Sequence, residues 1–106
     1  MEFSGKKVTV VGTGISGIGA VGLLNAVGAE VVLYDGNETL KIEDIEKKLG
    51  TYKAEIVLGE LTKELTDSSD LLVISPGVPI DSPVVKAFEA AGVPVWGEAI
   101  VEEADS

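Results

Sequence analysis

The sequence contains no cysteine and no histidine. Without cysteine there is no disulfide framework and no thiolate chemistry. Without histidine the usual acid–base group at neutral pH is missing, along with the commonest metal ligand. Long apolar runs are missing too, none approaching the ~20 residues that cross a bilayer. The opening Met1–Lys7 has neither the apolar stretch nor the small-residue cleavage site of a secretory signal. Positive charge is scarce, with 8 Lys and Arg against 18 Asp and Glu and a net charge of −10. That balance speaks against nucleic acid and against anionic membrane as partners, since both demand clustered cations. No G-x-x-x-x-G-K-[ST] loop is present, so the phosphate-gripping lysine of a nucleotide-hydrolysing enzyme is absent. Carboxylates are plentiful, but Glu43, Asp44 and Glu46 read as one solvated helix face and Glu102-Glu103 as a solvated tail. Neither catalytic nor metal-binding residues are therefore assigned. With so little catalytic equipment, the chain is expected to be a monomeric binding domain of the cytoplasm.

What the sequence does have is apolar content in a regular alternation. Its 106 residues make one small domain, and 45% hydrophobic residues with a mean hydropathy of +0.33 can build a core. Apolar-rich runs at Val8–Val11, Glu30–Tyr34, Glu55–Leu58, Leu71–Ile74 and Val93–Trp96 read as strands. Between them lie helical patterns. Ile15–Val27 carries Ile15, Ile18, Val21, Leu24 and Val27 as its expected apolar face, with Gly28 ending it. Lys41–Leu49 reads as an exposed amphipathic helix. Thr62–Leu65 is expected to be a helical turn at most, followed by a loop at Asp67-Ser68-Ser69. Pro83–Ala91 is a helix with Ser82 as its N-cap and Pro83 at its first position. Strands alternating with helices imply a parallel sheet covered on both faces. Right-handed crossovers then favour the order 3-2-1-4-5, a Rossmann-like α/β fold with a crevice between strands one and four at their carboxyl ends. Residues 1–97 are expected to form this domain, and 98–106 an acidic linker.

The crevice is where the chemistry should lie. Strand one runs into Gly12-Thr13-Gly14-Ile15-Ser16-Gly17, a G-x-G-x-x-G turn that opens a helix. Gly12 permits the tight turn, Gly14 lets a ligand approach the backbone, and Gly17 lets the helix lie close on the strand. The turn holds no Lys or Arg, so a diphosphate there must be held by N–H groups and the helix dipole. Ile15 and Ser16 supply the first of those N–H groups, and the Ser16 hydroxyl is placed either to meet a phosphate oxygen or to cap the helix. Strand two ends in Asp35, eighteen positions after Gly17, where an acid accepts from a ribose hydroxyl or from a base N–H. Gly36 and Asn37 complete a turn composition, with Asn37 a further possible donor or acceptor for a ligand. After strand four comes Ser75-Pro76-Gly77, which reads either as a Pro-Gly break that ends the strand or as a place where Gly77 allows a ligand to lie against the backbone across from Gly14. Ser75 has no base in sequence view and reads as a turn residue rather than a nucleophile. Trp96 reads as a packing or domain-interface residue. On residues alone, an NAD-binding domain of a dehydrogenase or a nucleotide-sensing module fits this pattern, NAD being the commoner occupant of such a turn. A small interaction domain with an unused glycine turn is the remaining alternative.

The glycine turn, Tyr34-Asp35, Ser75-Pro76-Gly77-Val78-Pro79 and Gly92-Val93-Pro94-Val95 together resemble the N-terminal domain of the Mur ligases, over essentially the whole chain. The pairing of the S-P-G-[IV]-P element with the glycine turn is more specific than either alone. The resemblance implies a domain that grips the UDP moiety of UDP-N-acetylmuramoyl-L-alanine. It implies a parent enzyme whose central domain binds ATP and Mg2+ and whose C-terminal domain brings D-glutamate. The substrate carboxylate becomes an acyl phosphate there, and the amine of D-glutamate forms the amide of a peptidoglycan precursor. By position, Gly14, Ile15, Ser16 and Gly17 would meet the diphosphate. Asp35, Gly36 and Asn37 would meet the uracil, with Gly77 beside it. Asn37 departs from the pattern, since some relatives carry a basic residue there. The chain stops at Ser106, before the family's central domain, so it is expected to bind the UDP substrate without catalysing and to need no cofactor of its own.

Overall fold

The computed structural model describes residues 3–75, 78–79 and 81–97. Nine elements alternate along them: β1 (Lys7–Val11), α1 (Ile15–Ala26), β2 (Glu30–Asp35), α2 (Ile42–Leu49), β3 (Glu55–Leu58), α3 (Lys63–Ser68), β4 (Leu71–Ile74), α4 (Pro83–Ala90) and β5 (Val95–Gly97). The five strands form one parallel sheet in the order β3-β2-β1-β4-β5, as the alternation predicts. β1 is central, with Val8 beside Val31 on one flank and Leu71 on the other.

Period-two alternation sends the strand side chains to two separate cores. Val8, Val10, Leu33, Leu71 and Val73 point to one face, under Ala20, Val21 and Leu24 of α1 and Ile45 and Leu49 of α2. Val11, Val32, Tyr34, Leu72 and Ile74 point to the other, under Leu65 of α3 and Val85 and Phe88 of α4. Thr9 also turns to this second face and is fully buried. Its hydroxyl lies 2.7 Å from that of Ser69, whose own hydrogen goes to the Leu65 carbonyl at 2.8 Å, so Thr9 donates to Ser69. Trp96 belongs to the first face, where its ring stands edge-on to Phe3 at 5.6 Å and 90°.

α1 and α4 end by the same device. Gly28 and Gly92 take positive φ of 80° and 82°. The next residues, Ala29 and Val93, donate back to the Leu24 and Phe88 carbonyls, and the glycines themselves to Asn25 and Glu89. Each is a Schellman cap, closed by a contact inside its own core.

Three local expectations need correction. Ile15 is not on the packed face of α1: it is 94% exposed, while Gly17, Ala20, Val21 and Leu24 are buried. At 100° per residue Ile15 lies about 160° from Gly17, on the opposite side of the helix. α3 runs through Asp67 and Ser68 instead of stopping at Leu65. The Thr62 hydroxyl accepts from the Leu65 N–H at its start, and the Ser68 and Ser69 hydroxyls donate to the Leu65 carbonyl at its end. These polar side chains satisfy the backbone groups of a helix too short to sustain itself. Ser82 does occupy the N-cap of α4, with Pro83 next, but its side chain makes no capping hydrogen bond. The expected linker at 98–106 lies outside the described residues.

Candidate functional site

The crevice between β1 and β4 is built by backbone constraints. Gly12 leaves β1 with φ 109°, a conformation that L side chains rarely adopt. Its N–H donates to the Tyr34 carbonyl at 2.8 Å, which docks the turn onto the end of β2. A Cβ on Gly12 would stand 2.9 Å from Ser75 Oγ, and one on Gly17 would stand 1.9 Å from the Gly12 carbonyl oxygen. Neither position has room for a side chain. Ser75 fills the space beneath the turn, its hydroxyl donating to the Val11 carbonyl at 3.0 Å. The residue that follows β4 is thus joined by a hydrogen bond to the end of β1, directly before the glycine turn, and Ser75 acts as a brace.

Gly14 differs from its two neighbours in the motif. It is the N-cap of α1, with φ −74° and ψ −175°, and among the described residues nothing lies within 4 Å of where its Cβ would be. Glycine is not demanded here by the apo fold; what it leaves is open space. No side chain caps α1 and no acid stands in its first turn. The N–H groups of Ile15, Ser16 and Gly17 therefore begin the helix without intrahelical partners, at the positive end of the dipole. Ser16 is exposed beside them. An anion is the natural complement of such a terminus.

Asp35 ends β2, half-buried and held from two sides. The Thr13 hydroxyl donates to its Oδ2 at 3.0 Å, and the Asn37 N–H donates to its Oδ1 at 3.0 Å. A carboxylate has about four acceptor sites, so both oxygens keep capacity for a ligand donor. Asn37 is committed differently. Its Oδ1 accepts from the Thr39 N–H at 3.0 Å and from the Thr39 hydroxyl at 2.6 Å. Both acceptor positions are filled, and Asn37 has only its NH2 to offer a ligand. Gly36 borders a cleft of about 490 Å³, lined also by Val11, Tyr34, Leu61, Pro83 and Val84. The Tyr34 hydroxyl donates to the Gly59 carbonyl at 2.6 Å. Burial raises its pKa above 10, and the charges of Asp35 and Glu60 add to the shift.

The structure thus places Gly14, Ile15, Ser16 and Gly17 at the start of α1 and Asp35, Gly36 and Asn37 at and beyond the end of the adjacent β2, with the Thr13–Asp35 hydrogen bond joining the two groups. Gly77 lies outside the described residues. Two contributors escape the sequence reading. Thr13 carries no motif of its own, although a hydroxyl in a turn facing a strand-end acid is a recognisable signal. Ser75 was legible as a turn residue but not as the brace under Gly12. Among the described residues no group of three or more His, Cys, Asp or Glu converges as a metal site. No described helix is long and apolar enough to cross a membrane.

The family model of the Mur ligase MurD-like N-terminal domain matches residues 6–97. A UDP-N-acetylmuramoylalanine--D-glutamate ligase from Lachnospira eligens is 61% identical over 98 residues, covering 92% of this chain and 22% of that protein. The chain thus spans about a fifth of the length of this curated relative. Among solved structures, a pseudomurein peptide ligase type C from Methanothermus fervidus superposes with a TM-score of 0.72 at 22% identity, over 92% of this chain and 20% of that one. A shikimate dehydrogenase from Aquifex aeolicus superposes with a TM-score of 0.65 at 16% identity, over 98% of this chain and 46% of that one. At those identities the two likenesses show the fold alone.

Proposed function

The chain belongs to the MurD-like family of Mur ligase N-terminal domains, and from that membership we propose that its crevice grips the UDP moiety of UDP-N-acetylmuramoyl-L-alanine. One observation carries the reading. The uncapped, acid-free start of α1, with open space at Gly14, follows the turn whose Thr13 hydroxyl braces the carboxylate of Asp35 at the end of the neighbouring β2. The diphosphate lies on the N–H groups of Ile15, Ser16 and Gly17, with the Ser16 hydroxyl as a further donor. With a net charge of −10 and no cation in the turn, backbone dipoles must supply this attraction. The base enters the apolar cleft beside Gly36. Asp35 accepts from it, and Asn37, restricted to donating, meets a carbonyl. Uracil presents that complement, an imide N–H flanked by carbonyls. Cytosine offers no N–H at the same ring position. Gly77 is proposed to border the base on the far side.

The longer protein would join D-glutamate to the bound substrate through an acyl phosphate, the amine displacing phosphate from the carbonyl carbon. ATP would supply the phosphoryl group in the central domain, leaving as ADP, with Mg2+ offsetting the phosphate charge, and this chain's part is to hold the UDP end. We place the protein in the cytoplasm as a monomer, with the central and C-terminal domains as its partners.

Amide-resolved NMR titration tests the reading, with UDP-N-acetylmuramoyl-L-alanine in one arm and NAD in the other. Shifts at Ile15, Ser16 and Gly36 with the UDP ligand alone are expected. Shifts with NAD alone would replace this function with that of a dinucleotide domain. A third titration with CDP should give weaker binding than UDP, and equal affinity would remove the roles given to Asp35 and Asn37.

A further inference from the structure

We propose that Thr13 is a positioning residue for the nucleotide: its hydroxyl fixes the Asp35 carboxylate in the orientation that the ligand meets. The proposal rests on reading the crevice as a uridine diphosphate site. Thr13 stands inside the glycine turn, between Gly12 and the N-cap Gly14. Its side chain is only 6% exposed and donates across 22 residues to Asp35 Oδ2 at 3.0 Å. A threonine hydroxyl has one hydrogen. With that hydrogen on Asp35, Oγ1 offers only lone pairs to an incoming anion, which repel it. Thr13 therefore does not hold the diphosphate through its side chain, although its backbone belongs to the turn that does. It reaches the ligand through Asp35.

A carboxylate at a strand end is free to turn about χ1 and χ2. Here Thr13 holds one oxygen and the Asn37 N–H holds the other. The two donors come from different segments, one from the phosphate turn and one from the loop after β2. Removing Thr13 leaves the Asp35 carboxylate held by the Asn37 N–H of its own loop and breaks the one side-chain hydrogen bond that, among the described residues, joins the glycine turn to the end of β2. The diphosphate and nucleoside halves of the ligand thus meet a single hydrogen-bonded unit.

The test is calorimetric titration of UDP into this chain and its variants, with the urea midpoint of each measured separately. Thr13→Val keeps the branched shape and removes the donor; Thr13→Ser keeps the donor. Thr13→Val should weaken UDP by roughly three- to ten-fold, the range expected when one side chain must be ordered on binding. Thr13→Ser should stay within about two-fold of the parent. Asp35→Ala should weaken UDP, and adding Thr13→Val to it should cost nothing more. Unchanged affinity in Thr13→Val would overturn the proposal. So would a Thr13→Ser variant as weak as Thr13→Val at an unchanged midpoint, or a full further loss in the Asp35→Ala background. If the parent chain fails to bind UDP at all, the nucleotide reading falls and the role of Thr13 falls with it. If the parent binds and only the Thr13 pattern fails, the nucleotide reading stands.

Discussion

Replacing Gly17 with alanine should separate packing from ligand binding when set beside the same change at Gly14. A Cβ at Gly17 would stand 1.9 Å from the Gly12 carbonyl oxygen and 2.9 Å from its carbon. Ordinary carbon–oxygen approach is about 3.3 Å, so α1 would have to lift off the turn by more than an ångström. The obstruction is backbone, which cannot rotate aside as a side chain can. Overpacking costs about 1–3 kcal/mol, and a rigid obstruction puts this site near the upper end. Alanine returns ~1 kcal/mol through helix propensity, leaving a net loss of about 2 kcal/mol. For a urea m-value of about 1.5 kcal/mol/M, the midpoint should fall by a little over 1 M. Gly14→Ala enters open space at an unstrained φ of −74°. Its midpoint should stay within about 0.5 M of the parent, while UDP binding drops because the methyl occupies the approach to the turn. Equal midpoints for Gly17→Ala and the parent would refute the close contact between α1 and the Gly12 carbonyl. Unchanged UDP affinity in Gly14→Ala would remove the diphosphate from this turn.

Two further outcomes test the frame around the site. Tyr34→Phe removes the donor to the Gly59 carbonyl, which is buried with it, and should cost about 1–2 kcal/mol by urea unfolding. The Tyr34 pKa is raised by burial, then by Asp35 and Glu60, so the fold favours the protonated phenol. That stability is fully present below pH 10 and is lost as pH rises through the higher folded value, so the parent should lose more stability than Tyr34→Phe in strongly alkaline buffer. Asn25 clamps the approach to β3, its Nδ2 donating to the Lys53 carbonyl at 2.9 Å and its Oδ1 accepting the Lys53 N–H at 2.7 Å. Asn25→Ala should cost about 1 kcal/mol and speed amide exchange at Lys53, with UDP binding unchanged.

The sheet was legible because apolar runs such as Val8–Val11 and Leu71–Ile74 are buried on both faces and must be continuous. The strand order followed from crossover handedness, and the place of the crevice followed from the order. Ile15 misled because periodicity cannot separate a packed apolar residue from an exposed one at the start of a helix. The start of α1 is fixed by the close approach of Gly17 to Gly12, and this rotates Ile15 outward. α3 was underestimated because its support comes from hydroxyls of Thr62, Ser68 and Ser69, residues whose composition reads equally as loop. Asn37 was visible as a polar turn residue, but its restriction to donating depends on Thr39, which no motif marks. Thr13 and Ser75 escaped for the same reason. Each acts on a partner brought near by the sheet, 22 and 64 residues away in the chain.

The brace between Ser75 and Val11 also bears on when the site comes into being. β1 finds β2 after 23 residues, Val8 meeting Val31, but finds β4 only after 63, at Leu71. Closing the longer loop is the entropically later step. A chain emerging from the ribosome presents the glycine turn well before Ser75, yet cannot fix it until Ser75 has been synthesised and β4 has docked. The first βαβ unit contains every residue of the proposed diphosphate end and still lacks the support that shapes it. On the proposed function, nucleotide binding would report completion of the central pairing, and a ligand present during folding would draw the chain toward that last step by mass action.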